Sequence, residues 1–133
     1  MSLLDDVGLV LQNNAIGILG VDLFLGMRPD TPDVCVAVME TQGLEPIEGY
    51  GAQPMDYLID RPSAQFVARA FDYVSAVNKA VAAYKVLHGF HGLVNGVNYL
   101  AMRAAQPPFR IGTDQNDRFL VGFNLNFLKA PPP

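Results

Sequence analysis

The sequence predicts an α+β fold, a mainly antiparallel sheet of about 4–5 strands with helices packed on one face. Residues 63–71 alternate in side-chain character, which is typical of a β-strand, and residues 118–128 alternate again. Between these two stretches, apolar residues recur at helical spacing from Asp72 to Leu87. This helix follows its strand with almost no connection, so we expect it to fold back across the sheet.

The helix over residues 72–87 has recognisable ends. Asp72 is suited to cap its N-terminus, and the pair His88-Gly89 is suited to end it. One face of strand 118–128 is strongly apolar: Phe119, Val121, Phe123, Leu125 and Phe127. We expect that aromatic face to pack beneath the helix.

A second helix is predicted near the N-terminus. Ser2 and Asp5 have the spacing of a capping box, and Asp5 lies in the first turn, where the helix dipole favours negative charge. An apolar stripe then continues to about residues 13–14.

The next segments predict two strands joined by a turn. A short strand is expected at residues 21–25, and the apolar run 34–40 is typical of a central strand. The connection 27–33 is rich in turn residues, and Asp30 and Asp33 within it suit Asx-type turns.

Residues 41–60 are predicted to form a long, mobile loop, because glycine and proline recur through them. Further along, Asn95-Gly96 marks a tight turn before a strand at 97–104. Residues 114–117 suit a hairpin turn before strand 118–128, and residues 130–133 form a proline-rich tail.

The composition indicates a single globular domain over residues 1–133. Half of the 133 residues are apolar and 17% are charged, which argues against disorder. No apolar run reaches the roughly 18 residues that a membrane span needs, so no membrane association is expected. The high apolar content instead suggests surface that is buried in an assembly. The single cysteine, Cys35, excludes an internal disulfide and is expected to be a small buried side chain.

Charge is distributed unevenly along the chain. Residues 1–60 contain ten acids and one base, whereas residues 61–133 contain three acids and eight bases. Either one fold interleaves the two halves, or the subunit has an acidic and a basic face through which copies meet head to tail. Net acidity also argues against tight nucleic-acid binding.

No catalytic motif is present in the sequence. There is no phosphate loop, dinucleotide-binding glycine motif, nucleophile elbow or zinc-type cysteine spacing. His88 and His91 are the only histidines, and glycines interrupt the helix around them, so we expect contacts with terminal carbonyls or solvent rather than a metal site. No enzymatic activity, metal or cofactor is therefore expected.

Several segments together resemble the minor capsid or tail-terminator (tail completion) family of tailed bacteriophages. They are residues 61–88, 96–100, 106–112 and 119–127, together with the N-terminal helix, the connection 26–33 and the segment 40–43. The likeness spans nearly the whole chain and consists of packing and turn patterns rather than reactive residues.

The resemblance implies a structural role in the virion. Such proteins form a ring, usually hexameric, that ends the tail tube and presents a surface to the head connector or stopper protein. DNA passes through the lumen without specific binding. The expected partners are further copies of the chain, the tail tube protein and the head connector, with assembly in the host cytoplasm.

Two sets of charged residues are candidates for this role. A lumen wall or docking loop is expected from the acids of segment 41–60: Glu45, Glu48, Asp56 and Asp60. Contacts between copies are expected from four bases: Arg61, Arg103, Arg110 and Arg118.

Three other functions stay open at this point. The chain could be another head–tail neck or completion protein. It could instead bind a small molecule in a pocket on the Phe-rich sheet, or be an enzyme that depends on His88 or His91.

Overall fold

The computed structural model of the chain describes residues 3–48 and 57–130, with side chains described for 3–43 and 59–130. Over these ranges the chain forms two helices, α1 (Leu3–Asn13) and α2 (Tyr73–Leu87). It also forms seven strands there: β1 (Leu23–Leu25), β2 (Cys35–Glu48), β3 (Tyr57–Ala70), β4 (Gly92–Val94), β5 (Val97–Ala104), β6 (Phe109–Thr113) and β7 (Phe119–Lys129).

The strands make one mixed sheet in the order β1-β2-β3-β7-β5-β4, and β6 also pairs with β7. Strand β1 runs parallel to β2, and the other pairs are antiparallel. The α+β prediction is confirmed, but the expected 4–5 strands are too few for the described residues. The pattern missed β4 because it has three residues, and β6 because it is mostly exposed.

The hairpin of β2 and β3 corrects the predicted loop over residues 41–60. Thr41–Glu48 and Tyr57–Asp60 are strand, and residues 49–56 lie outside the described residues. Three shifts in the β2–β3 register accommodate glycine and proline without ending the hairpin. Gly43 is required by a close approach, because a Cβ there would lie 2.5 Å from the carbonyl oxygen of Arg61.

The core lies between the two helices and one face of the sheet. Phe66 of β3 stacks on Phe123 of β7 at 5.2 Å, and the Tyr84 ring of α2 meets Phe123 edge-on at 5.7 Å. Alanines at positions 76, 80 and 83 let α2 approach this aromatic layer closely. The predicted packing of the β7 aromatic face beneath α2 is confirmed.

Both predicted ends of α2 are confirmed. The Asp72 carboxylate accepts a hydrogen bond from the Ser75 N–H at 3.2 Å. Hydrogen bonding with the Ser75 side chain first, and then with the Ser75 N–H, lowers the pKa of Asp72. At the other end, the His88 N–H donates to the Tyr84 carbonyl, and Gly89 follows with φ of 86°.

Helix α1 is attached to the β4–β5 hairpin by a buried polar group. Asp6 is 1% exposed and accepts hydrogen bonds from the Tyr99 hydroxyl and from Asn95 Nδ2, the latter at 2.8 Å. The pKa of Tyr99 is raised, first by burial and then by the hydrogen bond to the Asp6 carboxylate. The helix ends at Asn13 as expected, whereas the capping role of Ser2 lies outside the described residues.

Candidate functional site

The connection between β1 and β2 is held by two buried arginines from distant parts of the chain. Arg118, at the start of β7, and Arg69, near the end of β3, are each 2% exposed. Buried guanidinium groups require hydrogen-bonding partners, because desolvating a charge is costly. Residues 30–33 supply those partners, together with Asp114.

Arg118 binds three carboxylates at once. Its Nε donates to Asp114 Oδ2 at 2.7 Å, its Nη1 to Asp33 Oδ1 at 3.0 Å and its Nη2 to Asp30 Oδ1 at 2.8 Å. Nη1 also donates to the Asp30 carbonyl at 2.6 Å. The fork of N–H donors in arginine suits this arrangement, which one ammonium group could not reproduce.

Arg69 binds the same segment through its backbone. Its Nε donates to the Asp33 carbonyl at 3.1 Å, and its Nη2 donates to the carbonyls of Asp30 and Pro32. The segment contains a cis Thr31–Pro32 peptide bond. The two arginines therefore fix residues 30–33 against the sheet. We call this arrangement the arginine clamp, comprising Arg69, Arg118, Asp30, Asp33 and Asp114.

The contacts within the arginine clamp shift the pKa values of Asp114 and Arg118. Burial raises the pKa of Asp114, but hydrogen bonds from the Arg118 and Asn116 N–H groups, and then the Arg118 guanidinium, outweigh burial and lower it. Burial lowers the pKa of Arg118, and its hydrogen bonds with Asp30 and Asp114 reverse that effect and raise it. Both groups are therefore charged at neutral pH, as an ion-paired structural element requires.

An open polar pocket of about 250 Å³ lies over the clamp. Its lining residues are Arg28, Asp30, Arg69, Asp114, Gln115, Asn116 and Arg118. The Asp30 and Asp114 carboxylates that line it are paired with Arg118. In the described part of the chain, no group of three or more His, Cys, Asp or Glu side chains is placed to hold a metal ion.

The clamp corrects one prediction and confirms another. Asp30 and Asp33 were expected to make Asx-type turns, but their carboxylates bind Arg118 instead. The hairpin turn at 114–117 is confirmed, since Asp114 Oδ1 accepts from the N–H groups of Asn116 and Arg118. No periodic pattern in the sequence relates Arg118 to residues 30–33, because that contact depends on the sheet order.

The acids predicted for a lumen or docking loop are placed only in part. Glu45 and Glu48 belong to β2, but their side chains are not described, and Asp56 lies outside the described residues. Asp60 is in β3 and its carboxylate lies 4.0 Å from Lys129 Nζ.

The predicted contact bases are divided between different parts of the fold. Arg61 and Arg103 lie on the sheet face opposite the helices, beside a pocket of about 80 Å³. Arg110 lies 5.4 Å from the centre of the Phe119 ring. Arg118 pairs with three carboxylates inside the subunit, and its expected contact between copies stays a prediction.

The remaining candidates for chemistry have structural roles. His88 is exposed to solvent, one of the two expected alternatives. Its Nδ1 also accepts a hydrogen bond from the Ala104 N–H at 3.0 Å, and its ring stacks on Tyr84 at 5.0 Å. Cys35 is 1% exposed, as predicted, and burial raises the pKa of its thiol. Such a thiol is protonated and shielded at neutral pH, so it is a poor nucleophile.

Three phenyl rings of the Phe-rich sheet face lie in the hydrophobic core. Phe66 and Phe123 are fully buried and Phe127 is 1% exposed, because α2 and its neighbours cover them. Among the described residues, no helix is long and apolar enough to cross a bilayer.

Comparison with known proteins relates the chain to a protein family and to solved structures. The model of the bacteriophage tail terminator protein family matches residues 10–130. A chain from the virion of a native gene transfer agent particle has a similar fold, with a TM-score of 0.63 and 11% sequence identity over 98% of this chain and 96% of that chain. No curated protein matches the sequence.

Proposed function

Because the chain belongs to the bacteriophage tail terminator protein family, we propose that it forms a ring, of six copies, that ends the tail tube and joins it to the head connector. Family membership itself identifies a structural protein of the virion rather than an enzyme. The ring, its six copies and its position between tube and connector are the proposed part. The chain would be made in the host cytoplasm and added there to a growing tail.

The family match over residues 10–130 is the observation that carries this proposal. One feature of the structure supports it. Large apolar side chains are exposed on the described subunit, with Phe71 58% and Val74 63% exposed. Such surface is typical of a protein that is covered by partners.

The acidic residues of the β2–β3 hairpin are proposed to face the lumen. A negative wall repels the phosphates of DNA and lets the duplex pass without binding. Glu45, Glu48 and Asp56 are the main candidates. Asp60 is a weaker one, because the nearby Lys129 offsets its charge.

A complementation experiment tests the terminator role. In a phage strain that lacks this chain, tails are expected to be overlong and unattached to heads, and the wild-type chain supplied in trans should restore tails of uniform length. Electron microscopy of tail length is the measurement. Tails of normal length without the chain would contradict the terminator role and favour the alternative of another neck protein.

A charge-reversal experiment tests the lumen. Glu45→Lys together with Glu48→Lys is expected to slow DNA ejection in low salt, while tail length stays normal. The matched control is Glu40→Lys, an exposed acid of β2 outside the predicted segment. Unchanged ejection with the double variant, or equal slowing with the control, would contradict the lumen assignment.

A further inference from the structure

Exposed apolar side chains gather at one end of the sheet. Cys35 of β2 pairs with Arg69 of β3. Val34, one residue before Cys35, and Phe71, two residues after Arg69, therefore lie at the same end of the sheet. The Val36 N–H donates to the Asp22 carbonyl at 2.8 Å, which brings Val21 to that end as well. We call this surface the apolar rim, and its members are Val21, Val34, Phe71, Tyr73 and Val74.

All five side chains of the apolar rim are exposed in the subunit. Phe71 stands between the end of β3 and the cap of α2, next to the exposed carboxylate of Asp72. Aromatic side chains are enriched at the centres of protein interfaces, and the neighbouring carboxylate adds a negative charge that a partner can complement. The rim therefore suits a partner that offers an apolar recess and positive charge.

A recess of that kind lies at the opposite end of the same sheet. Leu128 of β7 pairs with Ala101 of β5, and Asn126 pairs with Arg103. On the β3 side, Asp60 pairs with Lys129 and Ser63 with Asn126, which places Arg61 beside Leu128. The resulting pocket of about 80 Å³ has a mainly apolar floor and an arginine on either side. It offers roughly six water-sized positions, enough for the tip of a phenyl ring.

The apolar rim and this pocket cannot meet within one subunit. Phe119, which marks the rim end of β7, and Leu128, in the pocket, are nine residues apart on a strand, a separation of roughly 30 Å. Two different surfaces at opposite ends of a subunit give a heterologous, head-to-tail contact when a second copy joins them. Such contacts form a ring when the rotation between neighbouring copies closes.

We infer that Phe71 of one copy inserts into the pocket between Arg61 and Arg103 of the next copy. The Asp72 carboxylate then approaches Arg103, and the two charges select the orientation of the contact. This inference rests on the proposed function and deepens it, because it names the residues that join neighbouring subunits of the ring.

Cysteine cross-linking tests the contact directly. Phe71→Cys and Ala101→Cys chains are mixed, added to tail tubes from a strain that lacks the chain, and oxidised gently. A disulfide forms only when the two Cα atoms come within about 4.4–6.8 Å. We expect covalent dimers from the mixture, and little from either variant alone. Cys35 does not compete, because it is buried.

In the matched control, the Phe71→Cys chain is mixed with an Asn78→Cys chain instead of the Ala101→Cys chain. Asn78 is exposed on α2, away from the pocket. Equal cross-linking to Asn78→Cys, or none to Ala101→Cys on tails that end normally, would overturn the inference and leave the proposed function standing. If the wild-type chain fails to end tails at all, the proposed function fails and this inference fails with it.

A second measurement does not depend on disulfide geometry. Phe71→Ser and Arg103→Glu should each weaken binding between copies by about tenfold, measured by sedimentation or at tube ends. Leu93→Ser is the control, since Leu93 is 74% exposed and belongs to neither surface. Thermal unfolding should be nearly unchanged in all three. If both Phe71→Ser and Arg103→Glu bind further copies as strongly as the wild-type chain does, the inference is overturned.

Discussion

The guanidinium Nη2 of Arg118 lies 2.8 Å from Oδ1 of Asp30, a carboxylate 88 residues earlier in the chain. This contact, with those to Asp33 and Asp114, joins the β1–β2 connection to the start of β7. The connection lies at the same end of the sheet as the apolar rim. The arginine clamp therefore gives a defined shape to a surface that would otherwise be a run of turns.

Arg118→Lys is expected to loosen the β1–β2 connection while leaving the fold intact. Lysine keeps the charge but cannot donate to three carboxylates in a fixed fork. Amide hydrogen exchange should become faster in residues 33–36, and the thermal midpoint should fall. The control Arg103→Lys, on the exposed face, should change neither the amide hydrogen exchange of residues 33–36 nor the thermal midpoint. Unaltered exchange in Arg118→Lys would show that the clamp does not order the connection.

The clamp also predicts a dependence of stability on acid. The pKa of Asp114 is lower in the folded chain than the ordinary value of about 3.9. Its stabilising contribution is therefore complete well above that value and is lost as the pH falls below it through the folded-state pKa. Asp114→Asn should be less stable than wild type at pH 7, and the difference should shrink below about pH 4.

Urea unfolding between pH 2 and 8 measures this difference. Asp117→Asn is the control, because Asp117 is exposed in the same turn and its positive φ also suits asparagine. A difference between Asp114→Asn and wild type that stays constant across this range would contradict the assignment.

Tyr99→Phe is expected to reduce the free energy of unfolding by about 1.5–3 kcal/mol, the range for a hydrogen bond to a charged group. The variant leaves the buried Asp6 carboxylate with Asn95 as its remaining described side-chain donor. Chemical denaturation measures the loss. Tyr73→Phe, whose ring is partly exposed, should change stability by less than about 0.5 kcal/mol. Equal losses of unfolding free energy in Tyr99→Phe and Tyr73→Phe would mean that the hydrogen bonds of Asp6 do not hold α1.

Gly122→Ala is expected to prevent normal folding or to destabilise it severely. A Cβ on Gly122 would lie 1.9 Å from the Phe66 carbonyl oxygen, a contact that requires β3 and β7 to move apart. Expression of folded protein and the thermal midpoint are the measurements. Gly96→Asn is a milder comparison, since Gly96 has open space and its φ of 79° is tolerated by asparagine. A stable Gly122→Ala variant would show that the strands are less closely packed.

Thiol labelling reports unfolding of the sheet at a single position. Cys35 is buried and burial raises the pKa of its thiol, so alkylation at pH 7–8 should be far slower in the folded chain than in urea. Labelling followed by mass spectrometry measures the rate. Equally fast labelling in both states would place Cys35 at an accessible surface.

Local patterns determined much of the fold. Strand β7, helix α2 and its caps, and the burial of Cys35 were predicted because each depends on side chains that are close in sequence. The family resemblance was also visible at this level and is confirmed by the match over residues 10–130.

Other features depend on residues that are distant in sequence. Most of the predicted loop at 41–60 is strand, because pairing of β2 with β3 outweighs the local preference of glycine and proline for turns. Strands β4 and β6 are likewise formed by pairing with β5 and β7.

The sequence by itself determined the class of fold and the absence of a catalytic motif, since periodicity and residue type express these locally. Its resemblance to known proteins indicated the family. Only the tertiary structure decided that Arg118 binds Asp30 and that Phe71 and the Arg103 pocket lie at opposite ends of one sheet. The physical reason is that strand order and register set which distant side chains become neighbours, and neither is written in any short stretch of sequence.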